Sequence, residues 1–190
     1  LSTIHSYEED IPKERLGNQA VATTLWMTKG SPFTYGEFNS DKPTQIRGID
    51  MYLYPESKFG KRVSAEIKNC FIDTGNLALE LEEKFLATGK IIDGWFWYVE
   101  ADLLFYNHIP SMTLFQLDLA GMRKEFPLLE KHGWIPKKPT LNRNRRGEIY
   151  KEAKNLNVSI ETLRSLGFIL AEYPLVAHSS LAAELQKRVY

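Results

Sequence analysis

The chain has little cysteine, no net charge and no long apolar run. Its 190 residues include one cysteine, Cys70. No disulfide can close within the chain, and no cysteine-based zinc cluster can form. The expected setting is reducing, intracellular and cytoplasmic. Twenty-four Lys and Arg balance twenty-four Asp and Glu, which excludes a surface coated uniformly in positive charge and leaves only local basic patches for a polyanion. No apolar stretch is long enough to span a bilayer, so no membrane partner is expected. The opening LSTIHSYEED is polar and acidic, unlike a secretory signal, and the lack of an initiating Met points to a trimmed or partial N-terminus. The four histidines, His5, His108, His132 and His178, share no metal-ligand spacing and read as structural or exposed.

What is present is material for a core. Apolar residues make up 43% of the chain and aromatics 12%, enough for a sizeable core, and 190 residues predict a single domain over 1–190; the helix and strand segments that follow make it α/β. Residues 11–28 read as a helix with Asp10 as cap, Pro12 in its first turn and Gly30 past its end. Residues 29–45 read as a Gly/Pro/Ser/Asn-rich connection. From 46 to 54 apolar and polar residues alternate, with Ile49, Met51 and Leu53 on one face and Asp50, Tyr52 and Tyr54 on the other. PESKFG reads as a turn and KRVSAEIKNCF as the return strand. NLALELE (76–82) predicts a third strand and DGWFWYVEA a short helix. DLLFYNH and TLFQLDL predict two strands joined at Ile109-Pro110-Ser111. AGMRKEFPLLEKHG reads as a helix, IPKKPTLNRNRRG as a basic loop, and 148–155, 158–167 and 179–189 as helices.

The return strand raises a question. Val63, Ala65 and Ile67 form its apolar face, which leaves Glu66 and Lys68 together on the other. Either that face is solvated, or it is a metal site with a lysine beside it. With the turn centred at Lys58, Asp50 falls opposite Glu66 and Gly48 opposite Lys68. Two carboxylates facing across a ladder repel each other, and a divalent cation between them removes that cost. Magnesium favours hard oxygen ligands and keeps several waters. Asp50, Glu66 and the Ile67 carbonyl would suit it, with Glu80 from the third strand as a further ligand. Lys68 would orient or help deprotonate a water and neutralise charge on a phosphoryl group. Gly48 would leave backbone room for a close substrate. Glu14 shares a helical stripe with Val21 and Leu25 and would reach in from the first helix, its plainer reading being an exposed first-turn acid.

Asp50 in G-I-D-M-Y, with Glu66 and Lys68 in A-E-I-K, resembles the PD-(D/E)xK nuclease superfamily. The resemblance implies a restriction-endonuclease-like core over 11–118: a helix, an antiparallel hairpin with its third strand, another helix and a further strand. Residues 119–190 would be a helical and basic-loop extension. It also implies Mg2+, replaceable by Mn2+, held by Asp50 and Glu66, and hydrolysis of DNA phosphodiesters with Lys68 assisting. Glu14 would be the first-helix acid of many members. D-T-G-N-L-A-L-E-L-E is similar to a phage and mobile-element version, with Glu80 as a site acid and Ala101-Asp102 opening the fourth strand. Ile49 stands where the family's proline is often found.

Residues 131–160 hold eight Lys or Arg against two Glu. Lys137, Lys138, Arg143, Arg145 and Arg146 would track a phosphate backbone, the arginines reading base edges as an alternative; a solvated loop is the plain reading. Trp95, Phe96, Trp97 and Tyr98 cannot share one helix face and read as core and dimer packing, with base stacking the lesser reading. Asp73 reads as a turn residue and Cys70 as inert. The expected activity is a DNA endonuclease acting on duplex or branched DNA as a homodimer. The alternative is an inactive nucleic-acid-binding or partner-binding module on the same fold.

Overall fold

The computed structural model describes residues 4–29, 31–55, 61–71, 74–143 and 148–176. Asp73, Arg145, Arg146, His178, the turn at 56–60, Gly30 and the expected helix 179–189 lie outside them. In chain order the elements are β1 (Ile4–Ser6), α1 (Tyr7–Met27), β2 (Phe33–Phe38), α2 (Lys42–Ile46), β3 (Met51–Pro55), β4 (Val63–Cys70), β5 (Asn76–Phe85), β6 (Ile91–Asp93), α3 (Trp95–Tyr98), β7 (Leu103–His108), β8 (Thr113–Leu117), α4 (Leu119–Lys124), α5 (Phe126–His132), β9 (Thr140–Arg143), β10 (Ile149–Ser159), α6 (Ile160–Ser165) and β11 (Ile169–Pro174). This is a mixed α/β fold. No described helix is long and apolar enough to cross a membrane.

The chain forms two compact units, each from separate stretches. One comprises 1–12, 75–98 and 120–168, the other 13–74, 99–119 and 169–190. Residues 75–98, expected inside the nuclease-like core, therefore belong with 120–168. In the second unit a six-stranded sheet runs β11-β8-β7-β4-β3-β2. All its neighbours are antiparallel except β4 and β7, which are parallel. Ala20, Val21 and Leu25 of α1 pack on Met51, Leu53, Ala65, Ile67 and Phe105. Each large side chain so buried contributes about 1.5–3 kcal/mol. Gly17 allows the close approach of α1, because a Cβ there would meet Asn69 Oδ1 at 2.2 Å. Asn69 donates to Asn18 Oδ1 at 2.7 Å and accepts from Asn107 Nδ2 at 2.8 Å.

The first unit holds a five-stranded sheet, β1-β9-β10-β5-β6. Leu77, Leu79, Leu81, Ala153, Leu156 and Val158 turn inward. Trp95 and Phe96 join that core, whereas Trp97 and Tyr98 remain exposed.

Several expectations are corrected. The helix starts at Tyr7, so Asp10 lies inside it and is not its cap. The connection 29–45 contains β2 and α2. In β2, a Cβ on Gly36 would meet Met51 Cε at 2.6 Å, so this strand glycine makes room for a core side chain. Residues 148–155 are strand, not helix. A bulge at Lys154/Asn155 shifts the alternation of β10, so its inward residues fall at 153, 156 and 158, a spacing that mimics a helical stripe. β5 is not the hairpin's third strand, since it pairs with β10 and β6. The helix expected over 120–133 is two, α5 restarting after Glu125 with Pro127 in its first turn.

Candidate functional site

The site is built on the start of β3 and the middle of β4. Asp41 caps α2 by accepting from the Thr44 amide at 3.1 Å. The turn after α2 passes through Gly48, at φ 72°. A Cβ there would meet Val99 Cγ2 at 2.6 Å, so Val99 fills the room expected for a substrate. The turn delivers Asp50, which is fixed from three sides. Its amide donates to Ala65 O at 2.9 Å, its carbonyl accepts from the Asn39 amide at 2.8 Å, and its Oδ2 accepts from the Ile67 amide at 2.8 Å. The Asn39 side chain also donates to Ile49 O at 2.9 Å.

The ladder runs Met51↔Ala65, Tyr52↔Ser64 and Leu53↔Val63, the register that a turn centred at residue 58 gives. Continued by one residue, it sets Asp50 opposite Glu66. Glu66 is 4% exposed, so its face of the strand is not solvated. Its Oε1 pairs with Lys68 Nζ. Its Oε2 is buried and has no hydrogen-bond partner among the described residues. Burial first, and then the neighbouring Glu66 carboxylate, push the Asp50 carboxyl up to about 7, against a smaller downward pull from the Ile67 amide and Lys68. The Lys68 side chain is 29% exposed and gives this group its polar, solvent-reaching edge.

No family model matches the chain, and no curated protein or solved structure does.

The second unit thus assembles Asp50, Glu66 and Lys68. Ile67, whose carbonyl was expected at the metal, gives its amide to Asp50 Oδ2. Glu14 is exposed, so the expected turn toward the core side is not made. Its backbone carbonyl accepts from Asn69 Nδ2 at 3.5 Å, which brings that turn of α1 to the strand residue after Lys68. Glu80 stands on β5 in the first unit's sheet, opposite Asn155. Burial lowers the Lys151 pKa there, but the Glu83 hydrogen bond and the charges of Glu80 and Glu83 outweigh it. Among the described residues no group of three or more His, Cys, Asp or Glu is placed to hold a metal. His108 is buried, with Nδ1 2.7 Å from Ser111 Oγ.

Of the basic residues, Lys137 and Lys138 are exposed. Arg143 is not in a loop but ends β9, opposite Ile149. Two supports escaped the sequence reading. Asp102 accepts from the Ser64 amide at 2.8 Å and from Ser64 Oγ at 2.6 Å, while its own amide donates back to Ser64 Oγ at 3.0 Å. This clamp ties the start of β4 to the residue that opens β7, and those bonds hold the Asp102 carboxyl below its ordinary value. The other support is Asn39, which lies in the stretch 29–45 read as a connection.

Proposed function

We propose that the chain is a metal-dependent endonuclease that hydrolyses DNA phosphodiester bonds, on a core resembling that of the PD-(D/E)xK superfamily. One observation carries the reading: the Glu66 carboxylate, 4% exposed and with Oε2 unpartnered, lies beside Asp50 and Lys68. Two carboxylates confined together are costly unless a shared proton, as in the Asp50–Glu66 hydrogen bond that helps raise Asp50, or a cation joins them. The donor set fits magnesium, which takes hard oxygens and is commonly held by one or two carboxylates plus waters and substrate phosphate. Asp50 and Glu66 would hold it, so a third protein acid is not required.

When bound, the ion would lower the pKa of a water and stabilise charge on a phosphoryl oxygen. Asp50 is oriented for this by the Ile67 amide. Lys68 Nζ, paired with Glu66 Oε1, would neutralise charge on the phosphoryl oxygens as water attacks phosphorus, the ester P–O bond breaks and the water's proton passes by way of solvent to the departing alkoxide. The element order supports the reading as well. Helix α1, the antiparallel hairpin β3-β4 and then β7 parallel to β4 keep the order the resemblance implies, while the third strand of the sheet is β2, ahead of the hairpin, in place of β5. The exposed Lys137 and Lys138 supply positive charge for a phosphate backbone. A homodimer cutting both strands is the proposed assembly.

The test is cleavage of supercoiled plasmid, linear duplex, single strand and four-way junction with Mg2+, Mn2+ or chelator. Metal-dependent products that vanish in Glu66→Gln and fall steeply in Lys68→Ala are expected. Salt-sensitive binding without cutting would move the reading to a non-catalytic module.

A further inference from the structure

Within the first unit, the segment after α5 carries a second feature. Gly133 closes α5 by donating to Leu129 O at 2.7 Å. It lies so near β10 that a Cβ would meet Asn157 O at 2.8 Å. Trp134 follows and is locked by its backbone, its amide donating to Asn157 O at 3.0 Å and its carbonyl accepting from the Asn157 amide at 2.9 Å. Its side chain is nevertheless 48% exposed, and Ile135 after it is 44% exposed. Directly beyond is a groove of about 260 Å³, walled by Ile135, Pro136 and Pro139 and flanked by Lys137, Lys138 and Lys154. Thr140 Oγ1 accepts from Asn155 Nδ2 at 2.8 Å across its floor.

An exposed indole on a backbone fixed to β10, a small apolar groove and three lysines match one ligand chemistry. A flat aromatic base stacks on the indole or enters the groove, and the flanking phosphates lie on the ammonium groups. A duplex buries its bases in the stack and offers only backbone to such a surface. We infer that Trp134 and the adjoining lysine-flanked groove bind unpaired nucleotides of a single strand. This rests on the nucleic-acid part of the reading above, and it narrows the substrate to DNA with an unpaired stretch: a flap, a junction arm or a melted end.

The experiment is fluorescence anisotropy of a labelled oligo(dT) and of a duplex of equal length. It uses the full chain in chelator, so that cutting plays no part. Trp134→Ala should weaken the single strand by roughly 5- to 150-fold, the worth of one stacked base, and the duplex far less. Trp134→Phe should retain most of the binding. The double variant Lys137→Ala, Lys138→Ala should reduce the single-strand salt slope by about 1.4, at roughly 0.7 per phosphate contact. Equal binding by wild type and Trp134→Ala overturns the inference, as does an equal loss on both nucleic acids. Competition by polyglutamate as effective as by unlabelled oligo(dT) also overturns it, by assigning the groove to acidic peptides. Loss of cleavage in Lys68→Ala, with Trp134→Ala binding unchanged, would sink this inference alone. Trp134-dependent binding without cleavage by wild type would sink the nuclease reading alone.

Discussion

Replacing Asp50 with Asn should make the metal-free chain more stable at pH 8. The side chain is enclosed beside Glu66, and its carboxyl is pushed up to about 7, burial being the larger cause. In an unfolded chain an Asp titrates near 3.9. Between these values the folded state holds a proton that the unfolded state has lost, so stability falls as pH rises. The slope is about 1.4 kcal/mol per pH unit where the difference is a full proton. The contribution is complete below about pH 4 and gone above about pH 7. Taken over the whole window it is on the order of 4 kcal/mol for the separation at Asp50. Asn keeps an oxygen for the Ile67 amide and carries no charge.

The assay is urea unfolding from pH 5 to 8.5 in chelator. Wild type should lose stability toward pH 7 and then level off. Asp50→Asn should lack that component and exceed wild type at pH 8. Subtracting the two curves cancels titrations independent of the Asp50–Glu66 pair, including Asp102, whose lowered pKa acts in the acid range with the opposite sign. Adding Mg2+ at 100 times its dissociation constant should restore about 2.7 kcal/mol to wild type at pH 8 and little to the variant. Parallel curves for the two proteins in chelator would refute the claim that the carboxylates burden each other. A magnesium gain of equal size in both would refute the assignment of the cation to this pair.

Lys68→Ala should lower cleavage by about 10²- to 10⁴-fold, the usual worth of a positioned proton-transfer or charge-stabilising group; because Lys68 pulls the Asp50 pKa down, the pH at which stability levels off should also rise. Gly17→Ala should destabilise by about 1–3 kcal/mol in urea unfolding, the clash with Asn69 outweighing the roughly 1 kcal/mol that Ala gains in a helix. Glu83→Ala should cost about 3 kcal/mol in the same assay, because it strips the nearest carboxylate from the largely buried Lys151; the double variant with Glu83→Leu and Lys151→Met should recover most of it.

The hairpin was legible because both of its strands keep strict alternation. Met51 and Leu53 on one strand and Ala65 and Ile67 on the other face the core, and that pattern fixes the register. The strands 103–108 and 113–117 were legible as short apolar runs joined by a turn, not by alternation, β7 being buried along nearly its whole length. Alternation did not reveal sheet membership. Leu77, Leu79 and Leu81 define an inward face for β5, but a face carries no information on which strand lies beside it, and the partner, β10, is far away in the chain. β10 itself was misread because its bulge breaks the period. β2 was missed because Gly36 and its polar neighbours look like connection, whereas Gly36 makes room for Met51. The pairing of Asp50 and Glu66 came from register, but their burial did not: nothing in A-E-I-K says whether water reaches Glu66.

Burial also gives the pair its meaning. A Gln at position 66 would spare the fold a confined charge, and an Asn at 50 would keep the Ile67 bond without repulsion. The fold around the acids is otherwise consistent, with Asn39, the Ala65 carbonyl and the Ile67 amide fixing Asp50 and the Ser64–Asp102 clamp tying β4 to β7. Rigid support around a destabilising pair is what a preorganised site requires, since groups left to relax would move apart and lose the geometry. A surface accident has the opposite pattern: its acids turn to water and its supports are absent. The Glu66 carboxylate and burial together push the Asp50 carboxyl up, and under the reading proposed above a divalent cation is the ligand that would offset the cost of ionising both.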